Sequence, residues 1–230
     1  MSPPPHPLSR ATIVDAALRH VDEHGLAALT MRTLGQVLGV EAMSLYHHVN
    51  GREDLLEAMV DHVVSQVTLP QDPPDPPDGW QSMLQHVAHD VRAMATAHPH
   101  VFPLVATRPP AAPWLRPPLR SLTLVDAFLA GLLDRGLSDD AAVHVYKVFT
   151  GFLLGHLLLE VAQQGASTAP PEEPLDEGDA EVPNADQQLE LVEHPTIVRL
   201  EPGLRRHDAE AQFEQALEAL LDRLDKELAQ

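Results

Sequence analysis

Paired histidines are the side chains in this sequence whose spacing most readily suggests chemistry. His20 and His24 stand at i, i+4 and His86 and His89 at i, i+3, so each pair shares one face of a helix, an arrangement that suits zinc. No HExxH pattern accompanies either pair and the chain has no cysteine to complete a site, so metal sensing stays an alternative and neither a metal nor a cofactor is expected. A catalytic nucleophile would need a GxSxG elbow, a P-loop or a GxGxxG turn to position it, and none is present; an enzyme is not expected. A third histidine pair, His47 and His48, lies beside Tyr46. Adjacent helical residues point about 100° apart, so these two cannot share one role.

The 230 residues carry 15 Lys+Arg against 34 Asp+Glu, a formal charge of −19, which moves only to −5 if all 14 histidines are protonated. That is the wrong sign for a general nucleic-acid coat protein, so any DNA contact must be local and shape-specific. Hydrophobic content of 44% without cysteine describes a core-forming, non-disulfide chain, and no run of 18 apolar residues reads as a membrane span. The start, MSPPPHPLS, has neither the charge nor the apolar run of a signal peptide, so a cytoplasmic protein without a membrane partner is expected.

Prolines divide the chain. PQDPPDPPDG, residues 70–79, removes amide donors and disfavours helix before each proline, so it reads as an extended linker. Residues 165–186 hold four prolines and seven acidic residues with no basic one, the composition of a mobile loop. The expected division is 1–66, then the 67–79 linker, then 80–230.

Nearly every other segment has the period of a helix, and an all-α fold follows. Ser9 caps a first helix bearing Ala11, Val14, Ala17, Leu18 and Val21 on one face, ending at Gly25 in the left-handed cap conformation. Thr30 caps a second helix with Met31, Leu34, Val37 and Leu38. Gly39 turns the chain, Glu41 opens a third helix through Val49, and Leu45 and Val49 point inward. Asn50 with Glu53 forms a capping pair for a fourth helix striped by Leu56, Met59, Val60, Val63, Val64 and Val67. Further helices are expected at 80–97, near 100–106, at 114–135, at 140–163 after a Ser138/Asp139 cap, and at 207–229.

LTMRTLGQVLGVEAMSLYHHVNGREDLL, residues 29–56, resembles the TetR family of one-component transcriptional repressors. The likeness rests on a small capping residue before a short helix, Leu-Gly-Val at the turn, Leu-Tyr-x-His-Val in the next helix, and a basic residue then Leu-Leu after it. It spans roughly residues 9–66 and implies a three-helix, helix-turn-helix headpiece followed by a helical ligand-binding and dimerisation domain. By that resemblance the DNA-binding set is Thr30, Met31, Arg32, Ala42, Met43, Ser44, Tyr46, His47, His48 and Arg52. Arg32 can bond a guanine bidentately, Ala42 and Met43 offer apolar contact to a thymine methyl, and Tyr46 and His48 are phosphate clamps. Thr30 and Arg52 sit at helix N-termini, which favour anions.

Residues 97–109 and 213–225 are similar, more loosely, to the regulatory domain of the tetracycline-repressor branch. The implied partners are double-stranded palindromic operator DNA, a second copy of the chain and a small-molecule effector. Pocket candidates in the matching zone are His86, Phe102, Phe128, His144, Phe149, Phe152 and His156. The histidine that grips the drug in that branch falls near Thr68, which cannot play the part, so magnesium–tetracycline is not the expected effector. The last helix aligns Phe213, Ala216, Leu217, Leu220, Leu221, Leu224 and Leu228 in one stripe, and residues 149–159 are apolar nearly all round. A four-helix bundle across a twofold axis hides both, giving a dimer interface of Phe149, Phe152, Leu153, Leu157, Phe213, Leu217, Leu220, Leu221 and Leu224. The alternative is that both stripes pack within one protomer.

The first 65 residues depart from the usual basic headpiece: four arginines, no lysine and eight acidic residues leave it at −4. The rival reading is a TetR-like ligand-binding or protein-interaction dimer that has lost DNA binding. Six histidines there, His6, His20, His24, His47, His48 and His62, can add charge as pH falls. DNA affinity measured by fluorescence anisotropy at fixed ionic strength is therefore expected to strengthen from about pH 8 to about pH 6; an affinity flat across that interval contradicts it.

Overall fold

The computed structural model describes residues 8–69, 79–107, 121–167, 194–206 and 208–229. The N-terminal tail, the proline linker at 70–78, the start of the 114–135 helix and most of the acidic loop lie outside the described residues. Ten α-helices and one 3-10 turn make up the described chain, without a strand among them.

The N-terminal unit is built by local signals. The Ser9 hydroxyl accepts from the Thr12 amide at 3.2 Å and starts α1 (Arg10–His24), which buries Ile13, Val14, Ala16, Ala17, Leu18 and Val21. Ala11, placed on this face by period alone, is exposed. Gly25 has φ 80° but ψ 163°, not the expected left-handed cap: the chain leaves the helix extended and passes into a 3-10 turn at Leu26–Ala28. Thr30 then caps α2 (Met31–Leu38) reciprocally, its hydroxyl accepting from the Thr33 amide while the Thr33 hydroxyl accepts from the Thr30 amide, both at 3.0 Å. Leu34 is buried, but Val37 is 55% exposed rather than inward.

Gly39 closes α2 in the left-handed conformation, φ 68° and ψ 29°, turning the chain into α3 (Ala42–Leu45). The helix expected through Val49 is regular only to Leu45 and finishes as a tight turn, with Leu45 and Val49 buried as expected. A side chain at Gly35 would meet the Val40 carbonyl at 2.9 Å and the Ala42 amide at 3.3 Å, so only glycine lets α2 and α3 approach this closely. Gly51, not Asn50, is the N-cap of α4 (Arg52–Val64). The reach-back comes from Asp54, at the third helical position after Gly51, whose carboxylate accepts from the Asn50 amide at 2.7 Å in place of the expected Glu53 and also binds Arg10.

The C-terminal part comprises α5 (Trp80–Ala97), α6 (Phe102–Thr107), α7 (Leu122–Asp134), α8 (Asp139–Gln163), α9 (Pro195–Leu204) and α10 (Ala209–Leu228). Ser121, Ser138 and Asp208 cap α7, α8 and α10 through their side chains. α8 is the central element, packed against α5, α6, α7 and α10. By length and composition it is apolar enough to cross a membrane, but it is wrapped by other helices and carries the buried Glu160, the pattern of a core helix. α9 was not expected; all but Glu201 of its residues are exposed, Ile197, Val198, Leu200 and Leu204 among them.

Glu160 is 6% exposed and receives two bonds from Arg92 of α5, at 2.9 and 3.2 Å. The same guanidinium lies 5.2 Å from the centroid of the Phe213 ring of α10, so one charge ties three helices together. Arg92→Met leaves Glu160 buried and unpaired and is expected to cost about 3 kcal/mol or more in denaturant unfolding at fixed protein concentration, with most of it recovered in Arg92→Met/Glu160→Leu. Equal loss in both variants contradicts the pairing.

Candidate functional site

Two places have the geometry to bind something: the outer face of α2 and α3, and a cavity in the C-terminal part that reaches the end of α4.

On the first face, Met43 is 73% exposed and Tyr46 46%, with Arg32 and His47 also exposed. Arg32 has no hydrogen bond or ion pair among the described residues, so its guanidinium is available. Ala42, Ser44 and His48 are half-buried at the same edge. Three candidates are more committed to structure than expected. The Thr30 hydroxyl is occupied in its cap; Met31 is half-buried against the headpiece core; and Arg52 donates to the Leu29 carbonyl at 3.3 Å with Glu53 at 3.9 Å, joining α4 to the entry of α2.

A positioning residue missed by the sequence reading is Arg10. It makes two bonds to Asp54, at 2.7 and 2.8 Å, and a third to the His48 carbonyl at 3.3 Å, so α1, the turn after α3 and α4 meet at one guanidinium. The bond from Arg10, then that from the Asn50 amide, holds the Asp54 carboxyl down at about 2. A basic residue one turn before an apolar stripe, with an aspartate early in a later helix, was the available signal, but their contact spans 44 residues.

The histidine pairs do not converge on a shared ligand. The rings of His20 and His24 stack at 4.6 Å, while His86 lies 3.4 Å from the Thr68 hydroxyl and His89 bonds Glu214 at 2.9 Å. His62 faces Asp15 at 3.9 Å, so of the described headpiece histidines only His47 and His48 lie at the α3 face.

The cavity itself is narrow, about 60 Å³, and adjoins a wider opening of about 420 Å³. Val60 and Val64 of α4, with Val67 and Leu69 after it, form one wall; Val87, Val91 and Met94 of α5 and Val105 of α6 form the next; α7 and α8 close it with Phe128, Tyr146, Phe149, Thr150, Leu153 and Leu154. Of the seven expected pocket residues, Phe128 and Phe149 line it. Phe102 is buried core elsewhere, His86 and His144 are exposed, and His144 bonds Glu227. Phe152 and His156 pack their rings on Phe213 and each other. Burial pushes the Tyr146 phenol in the cavity wall up to about 12, so it stays neutral.

The expected dimer residues divide by their burial in the single chain. Phe149, Leu153, Leu157, Phe213, Leu217, Leu221 and Leu224 are buried within a single chain, because α10 and α5 already cover that side of α8; Phe152 and Leu220 are half-buried. The open side of α8 instead shows Val143, Gly151, Gly155 and Leu159, with free space beyond both glycines.

The headpiece touches the rest of the chain through α4 against α6, and through His98, at the end of α5, bonded to Asp22 of α1 at 2.9 Å.

A short helix, a glycine turn and a second short helix on a helical body define a helix-turn-helix DNA-binding protein with a cavity-bearing C-terminal part. The family model for bacterial regulatory proteins of the tetR family matches residues 13–59, and that for the tetracyclin repressor-like C-terminal domain matches residues 73–228. The chain is 27% identical over 218 residues to the HTH-type transcriptional repressor DrrR1 of Streptomyces coeruleorubidus, covering 95% of this chain and 77% of that one. It is 26% identical over 222 residues to the class C tetracycline repressor protein of Escherichia coli, covering 95% and 91%. Among solved structures it is similar to a possible TetR family transcriptional regulator from Streptomyces coelicolor A3(2), with TM-score 0.70, 28% identity and 95% and 99% coverage. It is also similar to the Streptomyces coelicolor TetR family protein ActR in complex with actinorhodin, with TM-score 0.67, 25% identity and 95% of both chains covered. The chain belongs to the TetR family. Members of this family of transcriptional regulators, which is not a family of enzymes, bind operator DNA as dimers and answer to small molecules, and this chain is a regulator of that kind.

Asp54→Asn removes the Arg10 clamp and is expected to weaken DNA binding and lower thermal stability by about 1 kcal/mol at neutral pH, the pair being partly exposed. The Asp54 carboxyl sits below its ordinary value, so its stabilisation is present above 3.8 and fades as pH falls toward about 2. A stability difference between wild type and variant that grows as pH falls through that window contradicts the assignment.

Proposed function

We propose that the protein is a cytoplasmic repressor without catalytic activity, binding a palindromic operator as a homodimer through α2 and α3 and released when a small molecule fills the cavity. Residues 1–66 form the DNA-binding unit, 67–79 the linker, and 80–230 the effector and dimerisation unit. Arg32 reads a guanine edge, Met43 and Ala42 pack on a thymine methyl, and Ser44 bonds a base or sugar. Tyr46 and His48 face the phosphates, with His47 exposed beside them, while Thr30 and Arg52 hold the N-terminal ends of α2 and α4 toward the DNA backbone. The open α8 stripe around Gly151 and Gly155, with Phe152, His156, Leu159 and Leu220 beside it, pairs with its copy and sets the two α3 helices about one DNA turn, roughly 34 Å, apart.

The observation that carries this reading is the sharing of α4. Leu55, Leu56 and Met59 are fully buried in the core, while Val60 and Val64, one and two turns further on, form a wall of the cavity. A ligand pressing on Val64 acts on the helix that carries the headpiece. Release requires the ligand to bind the non-operator arrangement more tightly, with a coupling typically about 1–3 kcal/mol.

Fluorescence anisotropy with DNA flanking the protein's own gene tests the reading. Saturable binding is expected to fall about 100-fold in Arg32→Ala/Tyr46→Ala, with a shallow salt slope because few cations meet phosphates. Absence of binding at low salt by an intact dimer contradicts it.

A further inference from the structure

Tyr146, Thr150 and Ser121 are the only polar residues among the described lining of the cavity, and no described Lys, Arg, His, Asp or Glu joins them. The Ser121 hydroxyl is taken up in accepting from the Leu124 amide at 3.1 Å as the α7 cap, and Tyr146 is a neutral phenol. The rest is aliphatic, with one aromatic wall: the Phe128 ring stacks on Phe149 at 5.7 Å and 19° and meets Tyr146 edge-on at 5.9 Å. Outside this cavity lies a wider vestibule that shares Val60, Val64, Val67, Leu69, Ser121 and Leu124 with it and adds Asp61, Ser65 and Thr123. Its one described charge is the Asp61 carboxylate.

From this lining we infer that the effector is an uncharged, mostly apolar aromatic molecule, held without a metal ion and with few hydrogen bonds, the described candidate for one being Thr150. The inference rests on the reading of this cavity as the effector site and adds the chemical class of its occupant. An anion entering it would shed its water, meet no cation among the described lining residues, and pass Asp61 on the way; a cation would meet no carboxylate among the described residues beyond the vestibule. A metal chelate is usually anchored by a carboxylate, imidazole or thiolate, and the described wall supplies none of these. Flat aromatic surface, by contrast, matches the Phe128–Phe149–Tyr146 wall. A ligand that ionises enters in its neutral form.

Two fluorescent probes that differ by one sulfonate make the test: N-phenyl-1-naphthylamine, which is neutral, and 8-anilino-1-naphthalenesulfonate. Titrated into the full-length protein, the neutral probe is expected to bind saturably, once per protomer, at least about 100-fold more tightly than the sulfonate. Its binding is unchanged by EDTA or magnesium and lost when Leu154→Trp fills the cavity. Val91→Phe, entering from the α5 wall, repeats the filling should Leu154→Trp fail to fold. Sulfonate binding as tight as that of the neutral probe and equally lost on filling overturns the uncharged class while leaving the cavity as the effector site. Neutral-probe binding that survives both fillings overturns the cavity reading itself. No binding of the neutral probe to the wild type, or binding only with magnesium, overturns the inference.

Discussion

Everything in this molecule depends on α4 belonging to two packed regions at once. Its early residues, Leu55, Leu56 and Met59, are sealed in the core shared with α1, and its later residues, Val60 and Val64, wall a cavity closed by α5 to α8. Close-packed interiors do not deform continuously, so a change in what touches Val64 shifts the helix as a unit and not one side chain alone. Two further contacts narrow the directions in which α4 can move: its packing against α6, and the His98–Asp22 bond that fastens α1 to the turn between α5 and α6. α6 contributes Val105 to the same cavity and α5 contributes Val87, Val91 and Met94, so these two connections between headpiece and body end on elements that line it.

The acidic headpiece gives this linkage its consequence. With four arginines against eight carboxylates, and with Arg10 held by Asp54 and Arg52 engaged at Leu29, few cations are left for phosphates. On the proposed reading, recognition then leans on direct contact by Arg32, Met43 and Tyr46, which is sensitive to orientation. A headpiece without a strong nonspecific grip lets go for a small rotation, so a modest coupling energy suffices to empty the operator.

Local signals were the legible part of the sequence. Caps at Ser9, Thr30 and Ser138, the left-handed turn at Gly39 and the buried Leu45 and Val49 all follow from residue type and spacing, because each is settled within four or five residues. What needed the third dimension was missed or misplaced. A stripe of leucines on α10 reads the same whether it meets α8 of its own chain or of a partner, and here its own chain takes Phe213, Leu217, Leu221 and Leu224. Pocket candidates chosen for aromatic or imidazole chemistry passed over the valines of α4 and α5, since a valine lining a cavity and a valine in a core look alike in sequence. Asp54 makes the reach-back because the helix cap falls one residue later than expected, at Gly51, its bond to Arg10 spans 44 residues, and α9 had no buried stripe to announce it.

The most direct test of the α4 linkage is a distance between headpieces. The chain has no cysteine, so Val37→Cys, at an exposed α2 position, carries one spin label per protomer, and double electron–electron resonance reads the label-to-label distance in the dimer. With the cavity filled, by N-phenyl-1-naphthylamine or by Leu154→Trp, the distance distribution is predicted to shift away from the one measured on the operator-bound dimer. A filled cavity with the operator-bound distance unchanged would show that α4 does not carry the signal.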